Sequence, residues 1–361
     1  MARVFNFSAG PAVLPEPVLE QAREAIWDFA GSGMGILELS HRSSWFDEVI
    51  TSAEARLARL LKLDQDQQVL FLHGGASTQF FTLPMNFLRG GRATYLDTGI
   101  WSAKAIKEAK RYGTVDVPFS SKPERYDRVP QPGELPALPE GTKYLHYTTN
   151  NTVAGTQFHW TPEVSGDAFL VGDASSDILS WPIEGSKYGM LYAGVQKNMG
   201  PSGMAFAVLR KSLLERAEAD LPTMLAYKTH ADNSSLFNTP NTFAIYIVER
   251  VAAWLEENGG LEGMGQRNKA QADKLYAAID GGAMWTGLAK PESRSWMNIT
   301  FTTGDADLDK AFVKEATAAG LNGLKGHRSV GGLRASIYNA MPDAGVDALI
   351  SFMGEFERTR G

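Results

Sequence analysis

The stretch YGMLYAGVQKNMGPSG (188–203) decides the fold, because it joins a buried strand to a charged side chain and a turn. Its first eight residues are apolar and β-prone, and Lys197 follows closely, before a Gly/Pro turn. A lysine just past a buried strand must be solvated, paired or chemically used, because burying a bare ammonium costs several kcal/mol. Lysine in such a position is also the side chain that forms Schiff bases with carbonyl compounds.

On either side of this strand, residues 65–210 alternate short apolar strands with helical stretches. Helices are expected at 77–88, bent or shortened by Pro84, and at 102–113. Such alternation favours a largely parallel sheet covered by helices on both faces. The predicted strands are QQVLFLHGG (67–75), RATYLDTG (92–99), TVDVPF (114–119), KYLHYTT (143–149), DAFLVGDAS (167–175), YGMLYAGV (188–195) and MAFAVLR (204–210).

The C-terminal part of the chain reads as a second, smaller unit. A long helix over 242–258 ends at a Gly-Gly pair, and helices over 307–319 and 343–358 accompany a strand at 295–303. We therefore predict an α/β fold with a large domain, residues 15–258. The smaller α+β domain comprises residues 259–361 together with the N-terminal residues 1–14.

Composition excludes several classes of protein. The 361 residues are 43% hydrophobic, carry a net charge of −6 and include no cysteine. A disulfide framework, a thiolate metal site and a catalytic thiol are therefore excluded, and no metal is expected. The mild acidity argues against nucleic acid as a partner, and no apolar run reaches the length of a membrane span. A cytoplasmic protein without membrane or nucleic-acid partners is the expectation.

The chain contains the parts of a site for pyridoxal phosphate (PLP), which needs a lysine, an acid, an anion cradle and a flat surface. Asp173 closes an apolar strand, as Lys197 follows another, and ligands of open α/β sheets gather at that edge. Asp173 could instead only cap the turn through Ser175 and Ser176. HGGASTQF (73–80) offers Ala76 and Ser77 at a helix N-terminus.

Other sequence signals are weaker alone. Trp101 is either a platform for the cofactor ring or a core residue. Two basic clusters, SHRSSWF (40–46) and LKGHRSVGGLRASIYNAMP (324–342), indicate either anion binding or a surface ion-pair network. A substrate with two anionic ends would account for both clusters, whose members are His41, Arg42, His327, Arg328 and Arg334.

These motifs resemble those of the phosphoserine aminotransferase family, a class of PLP-dependent transaminase, over essentially the full length. The matching strings are FNFSAGPA (5–12), SHR (40–42), HGGASTQF, GDASSDILS (172–180), YAGVQKNMGPSG (192–203), FNTPNTFA (237–244) and KGHRSVGGLRASIYNA (325–340). The resemblance implies a seven-stranded type of sheet in the PLP-binding domain. It also implies exchange of amino groups between O-phospho-L-serine and 2-oxoglutarate in serine biosynthesis, with 4-phosphohydroxy-L-threonine of vitamin B6 (pyridoxine) biosynthesis as a further candidate substrate.

The same resemblance implies roles for individual residues. Lys197 would hold the cofactor as a Schiff base and carry the substrate proton, while Asp173 would hold the pyridinium. Trp101 would stack on the ring, and Thr152 would donate to its hydroxyl oxygen. The phosphate would be bound by Gln196, Ala76 and Ser77, and by Asn238 and Thr239 of the partner subunit in a homodimer. Arg334 would bind the substrate α-carboxylate, and the other four basic residues would bind the distal anion.

One position departs from some members of the family. They carry an arginine where this chain has Ser77, so any guanidinium contact from there to the distal anion is lost. The alternative function is another PLP aminotransferase of the same fold, of the alanine–glyoxylate type. A cysteine desulfurase is disfavoured because the chain has no cysteine.

Overall fold

The computed structural model describes residues 3–361. Residues 1 and 2 of the predicted segment 1–14 lie outside the described residues. In chain order, the strands are β1 (Phe5–Asn6), β2 (Gln67–His73), β3 (Arg92–Asp97), β4 (Thr114–Ser120), β5 (Thr142–Thr148), β6 (Asn150–Asn151), β7 (Thr156–Gln157), β8 (Phe169–Asp173), β9 (Met190–Gly194), β10 (Met204–Arg210), β11 (Thr286–Gly287), β12 (Asn298–Thr302), β13 (Leu321–Asn322) and β14 (Leu333–Ser336).

Ten α-helices accompany these strands in the described residues. They are α1 (Glu16–Trp27), α2 (Ser44–Leu60), α3 (Ala76–Phe87), α4 (Ile100–Ala109), α5 (Lys211–Leu214), α6 (Tyr227–Asp232), α7 (Thr242–Glu257), α8 (Gly260–Gly281), α9 (Ala306–Ala318) and α10 (Asp343–Arg360). Among residues 3–361, none of the helices has both the length and the apolar character that a bilayer span requires.

Seven strands form one large sheet in the order β2-β10-β9-β8-β5-β3-β4. Strands β9, β8, β5, β3 and β4 pair in parallel, and β10 runs antiparallel to both β2 and β9. Strands β8 and β9 are buried throughout, as expected for parallel strands covered on both faces. The predicted α/β fold with a mainly parallel seven-stranded sheet is confirmed.

Pro84 does not end α3, although we expected it to bend or shorten this helix. The helix continues to Phe87, and the backbone N–H of Leu88 still donates to the carbonyl of Pro84. Pro84 is buried together with Leu83 and Phe87 against the sheet. Packing of this face therefore outweighs the single helix hydrogen bond that a proline removes.

The parallel strands bring their C-terminal ends to one edge of the sheet. Thr148 at the end of β5 is in register with Asp173 at the end of β8, and Asp173 is in register with Tyr192 of β9. Strand β9 ends at Gly194, three residues before Lys197. Residues distant in sequence thus meet at the edge where open α/β sheets bind ligands.

The C-terminal region has its own three-stranded sheet, β11-β12-β14, and its own apolar cluster. Phe7 belongs to that cluster, and β1 pairs in parallel with β13. Helix α8 contributes Leu261 and Met264 to the core of the large sheet and Leu275 to the C-terminal cluster. Because one helix serves both cores, the division at residues 258 and 259 stays a prediction.

Candidate active site

Lys197 lies buried at the edge of the sheet, with 8% of its surface exposed. Its Nζ donates a hydrogen bond to Oγ1 of Thr152 at 2.5 Å. Burial lowers the pKa of Lys197 to about 8, against the opposing attraction of Asp173, and the positive charge of Arg334 lowers it further. The amine is therefore oriented and is more readily deprotonated than an ordinary lysine.

Asp173 lines the cavity and forms hydrogen bonds to the protein through only one of its two carboxylate oxygens. Its Oδ1 accepts hydrogen bonds from the backbone N–H of Ser175 at 3.1 Å and from the hydroxyl of Ser175 at 2.5 Å. Oδ2 accepts no hydrogen bond within residues 3–361. Burial raises the pKa of Asp173, while Ser175 and Lys197 oppose the rise. The turn-capping role is present, and it leaves one oxygen for a further donor.

Helix α3 begins against the same cavity. Its N-cap, Gly75, is extended, and Gly74 before it has a φ of +92°, a conformation that L side chains rarely adopt. The first N–H groups of a helix have no acceptor within it, and the helix dipole adds positive potential there. Ala76 and Ser77 occupy the first two helical positions and line the cavity, where they can hold an anion.

The cavity has a volume of about 150 Å³. Trp101 contributes part of its wall, and the ring also packs partly against the apolar cluster under α3 and α4, so its role as a platform for the cofactor ring stays a prediction. The lining residues are Gly75, Ala76, Ser77, Phe80, Trp101, Thr148, Asn150, Thr152, Asp173, Ser175, Ser176, Gln196 and Lys197. All seven residues that we assigned to the cofactor from the same subunit are among them.

Arg334 lies beside the cavity. Its Nη1 donates to the carbonyl of Thr152 at 3.2 Å, and its Nε is buried without a hydrogen-bond partner in residues 3–361. Burial lowers the pKa of Arg334. A half-buried guanidinium with an unused donor next to Lys197 suits the binding of a carboxylate.

The other predicted residues do not line the cavity in the single chain. His41 has a buried Nε2 without a partner in residues 3–361, and Arg42 is exposed just before α2. Asn238 approaches Nε2 of His73 through its Nδ2, at 3.0 Å, and Thr239 is exposed. These four residues are separated from the cofactor cavity within one subunit.

His327 and Arg328 lie on the loop between β13 and β14. Nδ1 of His327 is 2.7 Å from Oγ of Ser329, and the pKa of His327 is lowered by partial burial and by the charges of Arg334, Arg328 and Lys104. The ion pairs of residues 3–361 involve other cations, for example Arg56 and Arg294. The surface ion-pair interpretation of the basic clusters therefore has no support in the geometry.

Sequence reasoning missed several polar residues of the cavity. Thr148 is the last residue of β5 and Asn150 lies two residues beyond it, and the Oγ1 of Thr148 is buried without a partner in residues 3–361. The signal was available, because both residues end a predicted parallel strand, where ligand-binding side chains collect. Ser176 was assigned only to the turn, yet it holds the Asn150 side chain at 2.7 Å.

The residues of the cavity fit PLP. A lysine amine of lowered pKa can bond the aldehyde, and Oδ2 of Asp173 can accept from the pyridine nitrogen. The first turn of α3 suits the phosphate, and Trp101 suits the flat ring. Each of the four requirements of the cofactor thus has a matching group around one cavity.

Comparisons with known proteins agree with this geometry. The profile of aminotransferase class-V matches residues 4–349. The phosphoserine aminotransferase of Desulfatibacillum aliphaticivorans is 52% identical over 362 residues, covering 99% of each chain. The structure of phosphoserine aminotransferase from Bacillus circulans subsp. alkalophilus has a TM-score of 0.96 and 48% identity, covering 99% of each chain.

A further crystal structure is that of PLP-bound phosphoserine aminotransferase from Trichomonas vaginalis. It has a TM-score of 0.92 and 40% identity, and the match covers 98% of this chain and 100% of the other. Identity at this level over whole chains exceeds what a shared fold alone provides. The chain belongs to the class-V aminotransferases and, within them, to the phosphoserine aminotransferase family.

Proposed function

We propose that this chain is a PLP-dependent transaminase that interconverts O-phospho-L-serine and 2-oxoglutarate with 3-phosphohydroxypyruvate and L-glutamate, in serine biosynthesis. The observation that carries the proposal is the meeting of Lys197, Asp173 and Trp101 around one cavity in a chain 52% identical to a phosphoserine aminotransferase. Arg334 beside the cavity supports an amino acid or keto acid as substrate, because it can bind the α-carboxylate.

Bound PLP supplies an aldehyde that joins covalently to amines and a ring that accepts the electrons left when the Cα proton departs. In this chain, Lys197 would hold the aldehyde, and Oδ2 of Asp173 would hold the ring nitrogen in its protonated form. Ala76, Ser77 and Gln196 would bind the phosphate, and Thr152 would donate to the ring hydroxyl oxygen. Trp101 would cover one face of the ring and exclude water from it.

Lys197 is also the candidate proton carrier at the substrate Cα. With a pKa of about 8 in the cofactor-free chain, roughly a tenth of its amine is neutral at pH 7, against about one part in three thousand for an ordinary lysine. Thr152 Oγ1 holds Nζ by a hydrogen bond and thereby fixes its direction. Both halves of a transamination need a proton moved at the same place, so one lysine can serve both.

The basic residues select a substrate with anions at both ends. Arg334 would bind the α-carboxylate, and His41, Arg42, His327 and Arg328 would bind the phosphate of phosphoserine or the γ-carboxylate of glutamate. A site that serves both substrates must tolerate different lengths between the two anions. The same tolerance supports 4-phosphohydroxy-L-threonine as a further substrate, and with it a part in pyridoxine biosynthesis.

A homodimer with active sites at the subunit interface belongs to this proposal. Asn238 and Thr239 do not line the cavity of their own chain, which supports a contact to the cofactor phosphate of the partner subunit. Phe237 beside them is 45% exposed, and apolar exposure of this kind marks interaction surfaces. The partners are then a second copy of the chain and small anionic metabolites.

We place the enzyme in the cytoplasm, because such metabolites do not cross a bilayer unaided.

Two measurements test the proposal. Phosphoserine, 4-phosphohydroxythreonine, serine and alanine are compared as amino donors to 2-oxoglutarate. We expect the phosphorylated donors to react far faster, and equal rates with serine or alanine would favour an alanine–glyoxylate type of enzyme.

The second measurement concerns the lysine. Lys197→Ala should bind PLP without the Schiff-base absorbance band and lose activity by a factor on the order of 10³ or more.

The matched control is Lys187→Ala, a surface lysine that pairs with Glu184. It should keep both the absorbance band and the activity of the wild type. Wild-type turnover in Lys197→Ala would contradict the assignment of the lysine.

A further inference from the structure

Helix α4 carries a lysine one turn after the tryptophan of the cofactor cavity. Nζ of Lys104 lies 4.2 Å from the centroid of the Trp101 ring. Residues three apart share one face of a helix, and an ammonium over an indole face is an attractive arrangement. Because Trp101 lines the cavity, this contact places the ammonium of Lys104 against a ring that forms part of the cavity wall.

The charge of Lys104 has no acidic partner within residues 3–361. Other exposed lysines in the described chain do, such as Lys187 with Glu184 and Lys269 with Asp273. Because no carboxylate neutralises this exposed ammonium, its positive potential can attract an anion that approaches it.

Lys104 acts electrostatically on a histidine of the C-terminal region, together with two arginines. The positive charges of Arg334, Arg328 and Lys104 all contribute to lowering the pKa of His327. Three cations, one on α4 and two in the segment 327–334 of the C-terminal region, therefore act electrostatically on one histidine. Mutual repulsion makes such a cluster unfavourable in isolation, and a bound anion would relieve it.

We propose that Lys104 is a further substrate-binding residue, whose ammonium contacts the distal phosphate of phosphoserine or the γ-carboxylate of glutamate at the rim of the cavity. The proposal rests on the function proposed above. Ser77 at the start of α3 offers only a hydroxyl and no charge, whereas Lys104 brings a flexible cation next to Trp101, another residue of the cavity wall.

The test compares Lys104→Gln with Lys107→Gln in the PLP-loaded enzyme. Both lysines are exposed on α4, and both changes remove one charge from the same helix. We expect Lys104→Gln to raise the KM for phosphoserine and for glutamate about tenfold, as loss of one charge-assisted contact does, with kcat changed less than about twofold. Lys107→Gln should leave both constants unchanged, and Lys104→Arg should restore most of the affinity.

A second readout does not depend on turnover. 3-Phosphoglycerate carries a carboxylate and a phosphate but has neither an amino nor a keto group, so its binding to the PLP-loaded enzyme can be followed by calorimetry. Its Kd should also rise about tenfold in Lys104→Gln and not in Lys107→Gln.

The outcomes separate the two proposals. A wild-type enzyme that does not transaminate phosphoserine would contradict the proposed function itself. If the wild-type enzyme transaminates phosphoserine but Lys104→Gln leaves the KM and the Kd unchanged, only the role of Lys104 would be overturned. A fall in kcat and in PLP affinity with KM unchanged would also overturn it, because Lys104 would then act only by supporting Trp101.

Discussion

Lys197 shows how one residue obtains its chemistry from its surroundings. The sequence indicated a lysine in an unfavourable place, and the structure adds the cause of its reactivity: burial lowers its pKa and Thr152 directs Nζ. Asp173 compensates part of the burial cost by its negative charge, but it does not cancel that cost. The site therefore keeps an amine that can become neutral near physiological pH.

The lowered pKa predicts how capture of PLP by the cofactor-free chain depends on pH. Only the neutral amine attacks an aldehyde, so the rate of formation of the Schiff-base absorbance band should rise with pH and level off above about pH 8. Stopped-flow absorbance measures this rate, and Lys197→Ala provides the blank at each pH. A rate that continues to rise through pH 10 would mean that Lys197 titrates as an ordinary lysine.

At the scale of elements, the first turn of α3 shows how a backbone can serve as a binding group. Gly74 has a φ of +92°, and a Cβ added there would lie 2.4 Å from Oγ1 of Thr78. That hydroxyl is 3.5 Å from the backbone N–H of Gly75, the N-cap of the helix. The geometry of the anion cradle thus depends on a residue without a side chain.

Gly74→Ala should therefore weaken PLP binding beyond its effect on stability. We expect the Kd for PLP to rise about tenfold, because the new methyl group displaces Thr78 and with it the first turn of α3. Gly90→Ala is the matched control: its φ is +67°, yet nothing lies within 4 Å of the added Cβ. Each change should cost about 1–2 kcal/mol of stability through backbone strain.

Fluorescence titration with PLP and thermal unfolding of the same samples separate the two effects. Equal losses of PLP affinity in Gly74→Ala and Gly90→Ala would show that the cradle tolerates the added methyl group.

Elements with a strong local pattern could be predicted from the sequence. The alternation of apolar strands and helices gave the large sheet, and β10 was predicted with the bounds it has, Met204–Arg210. Its antiparallel direction was not predicted, because strand direction depends on connections rather than on local pattern. Helices α1 and α2 have no counterpart among the predicted elements, although Ser43 caps α2 by accepting from the N–H of Phe46.

The candidate site also contains residues that could be predicted from the sequence and residues that could not. Asp173, Lys197 and the start of α3 could be found because each lies at a strand end or helix start. The electrostatic effect of Lys104 on His327 could not, because the two residues are more than 200 positions apart in the sequence. Long-range contacts of this kind leave no signal in the spacing of either segment.

At the scale of the whole molecule, four of the predicted site residues lie outside the cavity of their own chain. His41, Arg42, Asn238 and Thr239 do not line its cavity. Large apolar side chains are exposed close to these residues in sequence, with Leu37 60% and Phe237 45% exposed. A second copy that covers such surfaces could bring the missing groups to each cavity. The homodimer proposed above would thus complete the chemistry as well as bury apolar surface.

Mixed dimers test this arrangement directly. Lys197→Ala removes the amine, and Asn238→Asp places a carboxylate where the proposed partner contact to the phosphate lies, so each variant alone should be nearly inactive. If Asn238 serves the partner subunit, a dimer of the two variants has one site with both defects and one site with neither. Random mixing makes about half of the dimers mixed, so about a quarter of the wild-type activity should return. If Asn238 serves its own subunit, every site in a mixed dimer keeps one defect, and the assay of the refolded mixture should show no recovery over the separate variants.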